Sequence, residues 1–216
     1  MDVYSEISSF LKSQKVTLVA VSKTKPVELI QEFYNKGQLI FGENRVNELV
    51  EKHDNLPKDI KWHMIGHLQK NKVKYIAPFV DLIHSVDSFE LAKTIDKEAK
   101  KNNRKIDVLL QIKVAKEETK KGFDYNQLTQ QVKELMSLES INIIGLMGMG
   151  TFTDNSRITE IEFDQMRLYF DNIKSTFFGD NSDFKQLSMG MSGDYKIAVE
   201  KGSTMVRIGS LLFGKR

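Results

Sequence analysis

Eight short apolar runs, spaced along the whole chain and separated by charge-rich segments, constrain this sequence more than any other feature. They are TLVAVSK (17–23), QLIFGEN (38–44), KWHMIG (61–66), DLIHSVD (81–87), DVLLQIKV (107–114), INIIGLMGM (141–149), FKQLSMG (184–190) and TMVRIGS (204–210). They are rich in Val and Ile and lack clean polar–apolar alternation, as strands buried on both faces of a parallel sheet do. The segments between them read as helices. PVELIQEFYNKG opens on proline and closes on glycine, the usual start and stop asymmetry. DSFELAKTIDKEAKKNN has an acidic first turn and a basic last one, with Leu91, Ile95 and Ala99 on one face. RITEIEFDQMRLYFDNIKSTFF carries Ile158, Ile161, Phe163, Met166 and Phe170 at a helical period. The basic stretch KEAKKNNRK (97–105) is read as a solvated helix end.

Eight strand–helix alternations predict an α/β fold, either a closed (β/α)8 TIM barrel or a large doubly wound sheet. The count of eight and the glycine or polar residues at the run ends favour the barrel. It is expected as a single domain over residues 1–216. Little chain follows the eighth run, and an extra N-terminal helix at residues 2–13 is expected to fill the vacant outer position.

Composition narrows the function classes. The 216 residues are 40% hydrophobic and 28% charged, an ordinary globular balance able to bury a sizeable core. Lys+Arg 32 against Asp+Glu 29 leaves a net charge of only +3, and no dense basic run is interleaved with aromatics, so nucleic acid is not an expected partner. The absence of cysteine excludes disulfides and thiolate metal sites and fits a reducing compartment. No run approaches the roughly 18 apolar residues of a membrane span, and MDVYSEISSFLKSQK has no apolar signal region. A soluble, cytoplasmic protein is expected. No long apolar helical face is left unassigned, so a monomer is expected as well.

In a barrel the active site forms where strands end. The run ends supply Ser22 and Lys23, Glu43 and Asn44, Gly66 and His67, Asp87, Lys113, Met149, Ser188 and Gly190, and Arg207, Gly209 and Ser210. QLSMGMSGDY and VRIGSLLFG place hydroxyls and glycines after the seventh and eighth runs, where barrels often hold phosphate. The same glycines could serve only to permit tight turns. Lys23 ends an apolar strand and is read as standing across the barrel mouth from that cradle. Partial desolvation there favours the free amine, a nucleophile for a Schiff base with a phosphorylated sugar or with pyridoxal 5′-phosphate (PLP). Lys25 is expected to face solvent or an anionic ligand. His63 and His67 lie on a strand and its loop rather than one helical face, so no metal site is expected. Met147 and Met149 read as barrel lining. KEETKKGF (116–123) reads as a solvated loop.

AVSKTKP, FGENRVNEL, WHMIGHLQKNK, GLMGM, LSMGMSGDY and GSTMVRIGSLLFG occur in this order from Ala20 to Gly214. Together they closely resemble the pyridoxal phosphate homeostasis protein family of PLP-binding proteins. The resemblance implies a barrel like the N-terminal domain of alanine racemase. It implies that Lys23 holds PLP as a Schiff base, that Asn44 sits beside the ring, and that Ser188 with the backbone of Gly209 and Ser210 holds the phosphate. Arg207 would face the pyridine nitrogen. A guanidinium there disfavours a protonated ring and makes PLP a poorer electron sink. The chain stops at FGKR, where members of the family usually continue into a short charged tail.

Racemisation needs acid–base groups on both faces of the substrate. In alanine racemases the second is a tyrosine from a β-rich domain, and this chain ends before one could begin. Tyr75, Tyr125 and Tyr195 read as surface or packing residues. The expected function is therefore PLP homeostasis without robust turnover and with no catalytic residues, PLP being buffered or passed to apo PLP-dependent enzymes. The alternatives are a weak PLP-dependent amino-acid racemase and a cofactor-free Schiff-base aldolase acting on a sugar phosphate.

Overall fold

In a computed structural model, which describes residues 2–114, 121–179 and 183–214, all eight apolar runs form strands. These are β1 (Thr17–Val21), β2 (Ile40–Glu43), β3 (Lys61–Met64), β4 (Leu82–Val86), β5 (Ile106–Gln111), β6 (Ile141–Met147), β7 (Gln186–Met191) and β8 (Met205–Ile208). They pair in parallel in chain order, and β8 pairs with β1 to close a barrel. The helices are α1 (Val3–Ser13), α2 (Val27–Asn35), α3 (Val46–Asn55), α4 (Val73–Ile76), α5 (Phe89–Lys101), α6 (Tyr125–Met136), α7 (Ser156–Ile173), α8 (Tyr195–Glu200) and α9 (Ser210–Phe213).

Closure corrects one expectation. Val19 of β1 lies in register with Arg207 of β8, so Lys23 stands beside the strand carrying Gly209 and not across the mouth from it. The extra helix behaves as expected: α1 packs on β1 and α9, and Phe33 of α2 links them through ring contacts to Tyr4 (5.3 Å) and Phe213 (4.5 Å). Asp2 caps α1 by accepting the N–H of Ser5 at 2.8 Å, and Ser88 caps α5 through Leu91. Leu91, Ile95 and Ala99 are all buried. On α7, Phe163, Met166 and Phe170 are buried, whereas Ile158 and Ile161 are exposed, because the buried stripe runs through Thr159 and Glu162 and leaves the two isoleucines on the outer face.

Alternate residues on each strand face the helices or the barrel interior. Leu187, Met189, Val206 and Ile208 join the large outer core, while Val19, Leu82, Leu109, Met147 and Met205 form a small inner apolar cluster. The rest of the interior carries buried polar side chains, including His63, His84, Ser188 and Arg207. Among the described residues no helix is long and apolar enough to cross a membrane. Residues 116–120 of KEETKKGF and the terminal residues 215 and 216 lie outside the described residues.

Candidate functional site

The motif SKTKP turns sharply as it leaves β1. Lys25 N–H donates to the Ser22 carbonyl at 3.0 Å, and Thr24 adopts φ 63°, a left-handed conformation. Such a conformation is rare for a β-branched residue and costs on the order of 1–3 kcal/mol. It is held by Glu48, whose carboxylate accepts the Thr24 N–H at 2.7 Å. The turn sends the two lysines to different places. Lys23 lines a cavity at the C-terminal mouth of the barrel. Lys25 lies in a separate cleft with Glu28, Glu48 and Glu51, its Nζ 3.3 Å from the Gly214 carbonyl.

Below this turn the end of β1 is braced by a buried ion pair. Glu43 is fully buried, and its Oε1 accepts from Ser22 Oγ at 2.7 Å and from Lys52 Nζ at 2.6 Å. Lys52 also donates to the Ser22 carbonyl at 2.8 Å. Burial pushes the Glu43 carboxyl upward, and Lys52 opposes the shift. Among the described residues the second oxygen of Glu43 has no hydrogen-bond partner.

The mouth cavity has a volume of about 680 Å³, within the range of small-molecule sites. Val21, Ile65 and Met149 supply apolar wall, Asn44 lies at one edge, and residues 151–156 form a rim. Asn44 is kept there by a close approach: a Cβ on Gly66 would fall 2.3 Å from the Asn44 carbonyl oxygen, so β3 can end against that backbone only with glycine. The rim is anchored by Glu162, which accepts from the N–H and hydroxyl of Thr151, both at 2.6 Å.

The wall made by the ends of β7 and β8 is polar. Ser192 Oγ accepts the Gly209 N–H at 3.2 Å, and Ser210, which opens α9, joins them in the lining. The N–H groups of a helix's first turn have no carbonyl behind them within the helix and remain available to an anion. Asp194 accepts the Met191 N–H, fixing the turn into α8; burial raises its carboxyl above the usual range. Gly190 sits at φ 94°, and any Cβ there would strike Ala198 of α8. Arg207 also lines the cavity. It donates to the Ser188 carbonyl (2.9 Å), Ser188 Oγ (2.6 Å) and the Gly148 carbonyl (3.0 Å). Burial lowers its pKa to about 10, with Asp194 opposing, so it stays charged at neutral pH.

Lys23, Asn44, Arg207, Gly209 and Ser210 are thus brought around one cavity. Ser188 is not among its lining residues. It is fully buried inside β7, and its hydroxyl is held between Arg207 and His84. From this motif it is Ser192, four residues on and beyond the strand end, that joins the lining. His67 and Asp87 pair at 3.3 Å in a neighbouring cleft, and Lys113 lies 3.6 Å from Asp124. Tyr125 stacks on Tyr169, Tyr195 packs edge-on against Phe10, and Tyr75 is half exposed.

Residues 4–216 match the family described as "Alanine racemase, N-terminal domain". The chain is 42% identical over 200 residues to the pyridoxal phosphate homeostasis protein of Aquifex aeolicus, covering 92% of this chain and 86% of the relative. It is 39% identical over 210 residues to the human protein of the same name, covering 92% and 76%. The structure of PipY from Synechococcus elongatus without PLP superposes with a TM-score of 0.89 at 37% identity, covering 97% of this chain and 99% of that one. PipY with PLP bound gives 0.87 at 35%, covering 99% and 100%. Alanine racemase of Clostridium difficile gives 0.79 at 17%, covering 100% of this chain and 56% of its own, a likeness of fold. With curated relatives at this identity over nine-tenths of its length, the chain belongs to the pyridoxal phosphate homeostasis protein family.

Proposed function

We propose that this protein binds PLP at the barrel mouth and serves its homeostasis, holding the cofactor and passing it on rather than turning over a substrate. The observation that carries the reading is the convergence of Lys23, the Ser192–Gly209 wall and Arg207 on one cavity. That donor set fits PLP: a primary amine for its aldehyde, a hydroxyl and backbone N–H groups for its phosphate, and a guanidinium for its ring nitrogen. When bound, PLP supplies an aldehyde that condenses reversibly with an amine and a ring that can accept electrons.

The protein's own groups decide how far that chemistry goes. Lys23 is the amine of the cavity, lifted into it by the strained turn at Thr24. Ser192, its oxygen turned to the Gly209 N–H, would hold the phosphate together with the backbone at Ser210, and Asn44 would flank the ring. Arg207 can only donate, so it has no lone pair for the N–H of a protonated pyridine and its charge would disfavour that form, which would weaken the ring as an electron sink. Among the described residues lining the cavity there is no tyrosine, histidine or second lysine. The carboxylates among the described lining residues are Asp154, in the 151–156 segment, and Asp194, tied to the Met191 N–H, so the lining offers no counterpart of a racemase tyrosine and does not favour two-base racemisation. A cavity that keeps an open mouth suits loading and release, with apo PLP-dependent enzymes as recipients.

The test is borohydride reduction of PLP-treated protein, followed by mass spectrometry of its peptides. The pyridoxyl group is expected on Lys23, and Lys23→Ala is expected to lose it together with the visible absorption. Protein that stays colourless and unlabelled after PLP treatment overturns the reading. Exchange of the L-alanine α-proton in D₂O at enzymatic rates of about 1–10³ s⁻¹ would replace it with a racemase.

A further inference from the structure

The buried polar side chains of the barrel interior form one connected line. Arg207 Nη1 lies 2.6 Å from Ser188 Oγ, Ser188 Oγ lies 3.0 Å from His84 Nδ1, and His84 Nε2 lies 3.0 Å from His63 Nδ1. His63 Nε2 then lies 3.5 Å from a carboxylate oxygen of Asp81. Ser188 and His84 are fully buried, and His63 and Arg207 nearly so. Asp81 is half exposed and immediately precedes β4, at the N-terminal end of the barrel, whereas Arg207 lines the cavity at the other end.

The two ends dictate what the middle must be. A guanidinium can only donate, and an ionised carboxylate can only accept. His63 therefore carries its proton on Nε2, facing Asp81, and presents the bare Nδ1 to its neighbour. His84 must then donate from Nε2 and accept at Nδ1, and Ser188 must donate its hydroxyl proton to that Nδ1. This leaves a lone pair of Ser188 for Arg207. Every proton of the line points the same way, and each of its polar groups finds a complementary partner. Any other tautomer of either histidine sets two donors or two lone pairs face to face in the interior.

We propose that Ser188, His84, His63 and Asp81 are positioning residues for Arg207: a one-way hydrogen-bonded line through the barrel that aims the guanidinium at the cavity floor. The aim matters for the PLP-holding function proposed above and rests on that reading; the line itself does not. Ser188 acts through its lone pair, held ready for Arg207 because His84 takes the hydroxyl proton. His63 in turn keeps His84 in the one tautomer that can do so.

The test begins on the protein without PLP. The chain has four histidines, so ¹⁵N-histidine spectra of the wild type and of His53→Gln and His67→Gln variants identify the buried pair. Both are expected as neutral Nε2–H tautomers that persist at pH 6, and the Arg207 Nη protons as separate, slowly rotating signals that merge in Ser188→Ala. A neutral Nδ1–H tautomer at either position, or unaltered Arg207 signals in Ser188→Ala, overturns the proposal. With PLP added, Ser188→Ala is expected to shift the visible band, while Val132→Ala, a cavity in the outer core matched for lost stability, leaves it in place. An equal shift in both variants overturns the positioning role. Wild-type protein that stays colourless counts against the PLP reading alone, because the spectra of the free protein still decide the line.

Discussion

Ser192 Oγ accepts the Gly209 N–H across 3.2 Å, so the turn after β7 and the end of β8 are joined by one hydroxyl at the cavity wall. Its remaining hydrogen-bonding capacity faces the space where the proposed phosphate would sit. Ser192→Ala is expected to weaken PLP binding about tenfold or more, as loss of a hydrogen bond to a charged group does, with the melting temperature nearly unchanged. Absorbance titration with PLP checks it. Unchanged affinity would remove Ser192 from the phosphate site.

Gly66 presses the end of β3 onto the backbone of Asn44. Gly66→Ala puts a methyl group 2.3 Å from a carbonyl oxygen that is not a flexible side-chain tip. The backbone must shift, at a cost of about 1–3 kcal/mol. Urea unfolding should register that loss, and the displaced Asn44 should lower PLP affinity as well. A variant as stable as the wild type would show that the strand ends have room to part.

Lys52 neutralises a carboxylate that has no contact with water. Removing only the lysine, as in Lys52→Ala, leaves Glu43 buried and uncompensated and is expected to destabilise the fold by about 3–5 kcal/mol. Replacing both, as in Glu43→Leu with Lys52→Met, should restore most of that stability. If the single variant is no worse than an exposed lysine substitution, the pair does not brace β1.

The histidine pair predicts acid sensitivity. Burial holds His63 and His84 below the ordinary histidine value of 6.5 in the folded protein. As pH falls below about 6.5 the unfolded chain binds protons that the native state refuses. Stability then drops by up to about 1.4 kcal/mol per pH unit for each histidine. Asp81, whose carboxyl is held low by its hydrogen bond to His63, adds a further loss as the pH falls below about 3.9. Denaturant melts at pH 7.5, 6 and 5 read the slope, and His84→Gln should flatten it. Equal stability at all three values would mean that the interior tolerates the charge.

Much of the barrel was legible in the sequence because its strands are buried on both faces and stand out as apolar runs. The site was legible where residues leave a strand at its end, as Lys23, Asn44 and Gly209 do. It was not legible where the pleat decides. Ser188 and Ser192 sit four apart in one motif, and only closure of the sheet shows that the first is buried in the interior and the second lies past the strand end in the cavity lining. His84 lies within an apolar run and Lys52 in a charge-rich segment, yet both are buried, His84 against His63 and Ser188 and Lys52 against Glu43 and the Ser22 carbonyl. The inward alternation of His63 and His84 on adjacent strands was the one available hint.

The polar line through the interior also bears on how the molecule assembles. Its two histidines come from β3 and β4, while Ser188 and Arg207 come from β7 and β8. Either half of the chain, folded alone, would hold dehydrated donors or acceptors with nothing to meet them, a penalty of about 1–3 kcal/mol for each group. Apolar halves of a barrel can each collapse on their own, but these two cannot do so cheaply. The line therefore disfavours a partly closed barrel and couples the two halves at ring closure.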